Sequence, residues 1–91
     1  MKYILYSKNL GEGSAIHIPV IFSNFIVHSD MHKMITKGMM YGELEPISAG
    51  EISPIGMRCT GESTTMGLKS RGDIDTQIIM MIDYNSFIDV N

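Results

Sequence analysis

Between Ala15 and Phe22 the chain alternates, with Ile16, Ile18, Val20 and Phe22 on one side of an extended segment and His17 on the other. A two-residue period of this kind marks a half-buried β-strand, so the fold is built on a sheet. Pro19 has no amide to give to a ladder, which puts this strand at an edge or at a bulge.

The flanking segments extend the pattern. Residues 2–7, Lys-Tyr-Ile-Leu-Tyr-Ser, carry the aromatic and β-branched side chains of a strand, and residues 8–14 supply the glycines and asparagine of a turn, giving a first hairpin. Ser29 or Asp30 can cap a short helix over about 30–37, with Met31, Met34 and Ile35 on its apolar face and Gly38 at its end. A second hairpin joins about 45–52 to 56–62 through Ser53-Pro54-Ile55-Gly56; Met57 and Cys59 face one way on its return strand, and Arg58, Thr60 and Glu62 the other. Residues 61–72 read as a polar, glycine-rich loop with a short strand around Met66-Gly67-Leu68.

Asp73 and Asp75 favour a helix start, and Ile74, Ile78, Met81 and Ile82 then form a buried stripe. A continuous strand through 77–83 is the competing reading. The order ββαββα defines an α+β class: a small single domain, residues 1–91, with two hairpins in an antiparallel sheet covered on one face by two helices. The other face then needs a partner or a polar coat, and Met39-Met40-Tyr41 with Met80-Met81 offers adaptable surface for a homo-oligomer or simply fills the core.

Composition narrows the class. A chain of 91 residues buries roughly 60–65% of its unfolded surface, enough for one modest core. With 44% hydrophobic and 19% charged residues it is neither a disordered tail nor a membrane protein, and its longest apolar run, Ile78 to Ile82, is far too short to span a bilayer. The first eight residues lack a secretory apolar region, so a cytoplasmic location is expected. Cys59 has no second cysteine to pair with and reads as a structural thiol. A net charge of −3 argues against a polymeric nucleic-acid partner, but a small anionic ligand needs only two or three well-placed cations.

Three constellations bear on chemistry. His28-Ser29-Asp30-Met31-His32 has the residue types of a metal site, yet capping explains Ser29 and Asp30 and no third fixed ligand is evident, so no metal or cofactor is expected. Catalysis is not expected either: no nucleophile elbow is present, and Arg58 lies on the strand face opposite Cys59. The most ligand-like stretch is Gly61 to Arg71. Hydroxyls Ser63, Thr64, Thr65 and Ser70 and cations Lys69 and Arg71 sit just before a helix N-terminus, where amides and dipole favour an anion. Asp73 and Asp75 compete for that positive end, and a plain surface loop is the alternative.

Val20-Ile21-Phe22, His28-Ser29-Asp30-Met31, Ser48-Ala49-Gly50, Gly61-Glu62-Ser63 and Ser70-Arg71 followed by Asp75 resemble, in order, the landmarks of a group of short phage and prophage proteins. Ser23 stands where that pattern has proline, and Thr65-Met66 where it has Ser-Leu. The resemblance implies a phage accessory protein. Small proteins of this kind often act on the host, and one strategy is to sequester the nucleotide second messengers of antiphage defence in pockets of a homo-oligomer. On that reading Arg71, Lys69 and Arg58 pair with phosphates, Ser63, Thr64, Thr65 and Ser70 complete the site, and Tyr6 or Tyr41 stacks on a base. The alternative is a protein-binding inhibitor of a host or defence protein that uses a Met-rich, acidic surface and has no small-molecule site.

Overall fold

The computed structural model describes the backbone of residues 1–37 and 44–90 and the side chains of residues 1–37 and 44–82. Eight elements follow one another: β1 (Lys2–Gly11), β2 (Ser14–Phe22), α1 (His28–Lys37), β3 (Leu44–Ile52), β4 (Cys59–Thr60), β5 (Glu62–Ser63), β6 (Leu68–Lys69) and α2 (Asp73–Val90). The main sheet is antiparallel with strand order β2-β1-β3-β4, and β5 and β6 form a separate small hairpin. This is the expected α+β architecture of two helices and an antiparallel sheet.

β2 is an edge strand, as Pro19 requires, and Pro19 sits opposite Leu5 of β1. β1 is central, and its run Tyr3-Ile4-Leu5-Tyr6 is fully buried on both faces. Tyr3 and Leu5 join Ile52, Cys59 and Ile79 of α2 in one core, while Ile4 and Tyr6 join Phe22 and Ala49 in the other, under Met31 and Ile35 of α1. Each such burial removes an apolar side chain from water for roughly 2 kcal/mol.

The helices therefore lie on opposite faces, which corrects the expectation that both cover one. The physical reason is in β1: four consecutive large apolar residues send two side chains to each face, and each pair needs its own cover.

The return hairpin pairs only briefly, Glu51 with Thr60 and Ile52 with Cys59, through a turn closed by the Ser53 amide donating to the Arg58 carbonyl at 2.9 Å. Met57 precedes this strand and is exposed, whereas Cys59 is buried as expected. The short strand expected around 66–68 falls at Leu68–Lys69, because Gly67 takes a left-handed φ of 66° and belongs to the turn.

Residues 73–90 are helical, which excludes the strand reading. The buried stripe of α2 differs from the expected one: Asp75 and Ile79 are buried, Ile78 and Ile82 are half-buried, and Ile74 and Met81 are exposed. The helix is rotated so that Asp75 faces the sheet, where polar partners await it. In α1 the helix starts at His28, so neither Ser29 nor Asp30 is its cap, and Met34 is exposed. Gly38 and Met39-Met40-Tyr41 lie outside the described residues. Among the described residues no helix is long and apolar enough to cross a membrane.

Candidate functional site

The side chains of α2's first turn explain the shape of the loop expected to hold an anion. Asp75 is fully buried, yet its carboxylate collects donors. Tyr3 Oη donates to Oδ2 at 2.6 Å, the Arg71 amide donates to the same oxygen at 2.9 Å, and Arg71 Nε reaches Oδ1 at 2.8 Å. Burial alone pushes this carboxyl up, but the bonds from Tyr3 and Arg71, with the Ser48 hydroxyl nearby, outweigh it and hold Asp75 below its ordinary range. Burial and the charge of Asp75 push Tyr3 well above the ordinary phenol range.

Ser70 belongs to the same cluster. Its Oγ lies 2.7 Å from the Tyr3 hydroxyl and donates to it, since the one phenol proton goes to Asp75, and the same Oγ accepts the Gly72 amide at 3.0 Å. Beside it Gly50 fills a gap nothing larger can occupy, since a Cβ there would stand 2.3 Å from the Thr60 carbonyl oxygen. Ser48 Oγ is buried in the same region without a hydrogen bond of ordinary geometry among the described residues.

On the other face the β5–β6 hairpin reaches α1. Thr65 Oγ1 accepts the Ser29 amide at 3.3 Å, so the first turn of α1 is capped from 36 residues away. The buried Ser63 Oγ accepts the Met66 amide at 3.2 Å and braces Thr65. Of the expected ligand hydroxyls, then, Ser63, Thr65 and Ser70 are tied into the fold, and Thr64 alone is exposed without such a role.

Two of the three expected cations, Arg58 and Arg71, are paired with a carboxylate. Arg58 meets Asp73 at 3.4 Å with both side chains largely exposed, Lys69 stands opposite Glu62 in the β5–β6 register, and Arg71 is held by Asp75. Lys69 and Arg71 alternate with the inward-facing Leu68 and Ser70, so they share the solvent side of one extended segment. Arg71 is distinctive: Asp75 engages its Nε, no described residue bonds its two terminal nitrogens, and about a third of its side chain, 35%, is exposed.

The aromatic expected to stack on a base is not available at Tyr6. It is fully buried, it stacks on His32 with ring centroids 5.7 Å apart, and it shares a hydrogen bond with His32 Nδ1 at 2.8 Å; burial pushes its phenol up to about 12. Tyr41 lies outside the described residues. His28 and His32 do share a face of α1, but each ring is engaged separately, with His28 Nε2 donating to the Gly50 carbonyl at 3.0 Å. Among the described residues no group of three potential ligands can hold a metal ion.

Sequence reasoning missed the Tyr3–Asp75–Ser70 cluster, because its members are 72 and 67 residues apart from Tyr3. The one available signal was an acidic residue, Asp75, one position after Ile74 and four before Ile79. No protein-family model matches the chain, and neither does any curated protein or solved structure.

Proposed function

We propose that this chain is a phage accessory protein of the host cytoplasm that binds and sequesters a small phosphate-bearing ligand, a cyclic or related nucleotide second messenger, without cleaving it. The observation that carries the reading is the clamp on Arg71. A buried, ionised Asp75 fixes the guanidinium through Nε and leaves its terminal nitrogens as a preoriented fork for phosphate oxygens.

Lys69 adds a second cation on the same side, and Thr64 an exposed hydroxyl. An incoming phosphate competes with the Arg58–Asp73 pair, and an exposed pair of that kind is worth less than about 1 kcal/mol. Asp75 is not displaced, because its other bonds are internal. Binding without chemistry accords with the engagement of Tyr3, Ser70 and Asp75 with one another and with the burial of Cys59, whose thiol burial pushes up.

The test is native mass spectrometry and calorimetry with a panel of cyclic nucleotides, on wild type and Arg71→Ala. The expected result is a stoichiometric complex whose nucleotide is released intact on denaturation and whose affinity falls at least about tenfold in the variant. Equal affinity in the variant removes Arg71 from the site. A chemically altered nucleotide makes the protein an enzyme.

A further inference from the structure

Five exposed apolar side chains gather at one end of the sheet. β1 begins where antiparallel β2 and β3 both finish, as the pairs Lys2–Phe22 and Lys2–Glu51 fix. The turn after β2 carries Phe25, 98% exposed, and is tied down by Lys2 Nζ donating to the Ile26 carbonyl at 3.0 Å. The turn after β3 carries Ile55, 86% exposed, with Met57 beside it. Met1 lies between them, its carbonyl accepting the Ile52 amide at 2.7 Å, and Val27 completes the rim. Adjacent strands lie about 4.8 Å apart, so the roots of the two turns are separated by roughly 10 Å. A soluble monomer seldom presents so large an aromatic and so many aliphatics together on one rim.

We propose that this rim is a homodimer interface whose occupant is a second copy of the chain. The arrangement is self-complementary. A two-fold axis normal to the sheet lays Phe25 of one copy over Ile55 of the other and Met1 over Met1, which is the isologous pairing a closed dimer needs.

The charges agree with this occupant. Lys2 leans toward the β2 side, where it bonds Ile26, whereas Glu51 lies on the β3 side. Lys2 and Glu51 are already cross-strand partners within one copy, and the same rotation brings Glu51 of each copy toward Lys2 of the other as well. Arg58 and Asp73 already neutralise each other near the Ile55 turn, and Asp30, in the first turn of α1, adds one negative charge at the margin. With the Met1 ammonium, which donates to the Ile52 carbonyl at 3.4 Å, Lys2 and Arg58 set against Glu51, Asp73 and Asp30, the rim sums to neutral on a chain of net charge −3, so two copies meet there with less repulsion than the rest of the surface would impose.

This interface does not depend on the nucleotide reading and is tested without ligand. Sedimentation velocity over two decades of protein concentration is run on wild type, on the double variant Phe25→Ser with Ile55→Ser, and on Met34→Ser, a control at an exposed position on α1. The expected result is a wild-type species of twice the chain mass and a double variant whose dimer dissociation constant rises at least about tenfold, as loss of central anchors predicts. Met34→Ser is expected to match wild type. Both altered rim positions are exposed, so folding is retained, and far-ultraviolet circular dichroism verifies it. A monomeric wild type overturns the proposal and leaves the rim to a different protein. A dimer indifferent to the double variant, or an open-ended assembly, overturns it as well.

Discussion

Tyr3 and Asp75, 72 residues apart, are joined by a 2.6 Å hydrogen bond inside the core between the sheet and α2. The bond does two jobs: it satisfies a phenol hydroxyl buried on the central strand, and it fixes the rotation of α2 about its own axis. Through Asp75 it also sets the direction of Arg71, so the candidate ligand contact depends on the first strand of the chain.

Removing the donor tests that dependence. Tyr3→Phe keeps the ring and leaves Asp75 with the two donors of Arg71, so we expect a loss of about 1–2 kcal/mol in urea unfolding. Asp75→Ala strands the Tyr3 hydroxyl and frees Arg71, and we expect roughly 3 kcal/mol or more. Equal midpoints for Tyr3→Phe and wild type would show that the bond contributes nothing.

Two glycine substitutions separate close approach from backbone conformation. Gly50→Ala forces a methyl against the Thr60 carbonyl and the Ser70 side chain, at 2.3 and 3.0 Å, and we expect unfolding or a loss of more than about 3 kcal/mol. Gly67→Ala meets open space and costs only the left-handed φ of 66°, about 1 kcal/mol. Thermal denaturation of the two variants side by side reads the difference.

Much of the sheet was legible because its signals are local. The alternation through Ile16, Ile18, Val20 and Phe22, the proline at the edge and the Ser53-to-Gly56 turn each report on neighbours in sequence. The placement of the helices was not, because a strand buried on both faces is recognised only by asking where Tyr3-Ile4-Leu5-Tyr6 can all go. The stripe of α2 was misplaced for a related reason: apolar periodicity assigns Asp75 to solvent, and only a partner on another strand reverses that. In the candidate loop, hydroxyls that bind ligands and hydroxyls that brace a fold look alike in sequence. Ser63, Thr65 and Ser70 each make hydrogen bonds within the fold.

Cys59 is a clean probe of opening. It is 3% exposed, its amide donates to Thr76 Oγ1 at 2.9 Å, and burial pushes its thiol up, so little thiolate forms near neutral pH and little of it is reachable. We expect alkylation of native protein at pH 8 to be at least about a hundredfold slower than of urea-unfolded protein, following the population of opened molecules. Comparable rates would place the thiol at the surface.

Asp75 also predicts how stability responds to acid, and the sign can be worked through. Its folded carboxyl is held below the ordinary value of 3.8, so between those two values the unfolded chain binds more protons than the native one. Stability from this group is therefore fully present above the unfolded value and is lost as pH falls through the folded one. Asp75→Asn has no such titration. At pH 7 the wild type should be the more stable of the two, and the gap should narrow steadily as pH drops below about 4. Chemical denaturation of both proteins from pH 7 to pH 2 measures the gap directly. A difference that stays constant across that window would mean that Asp75 does not carry its charge into the folded core.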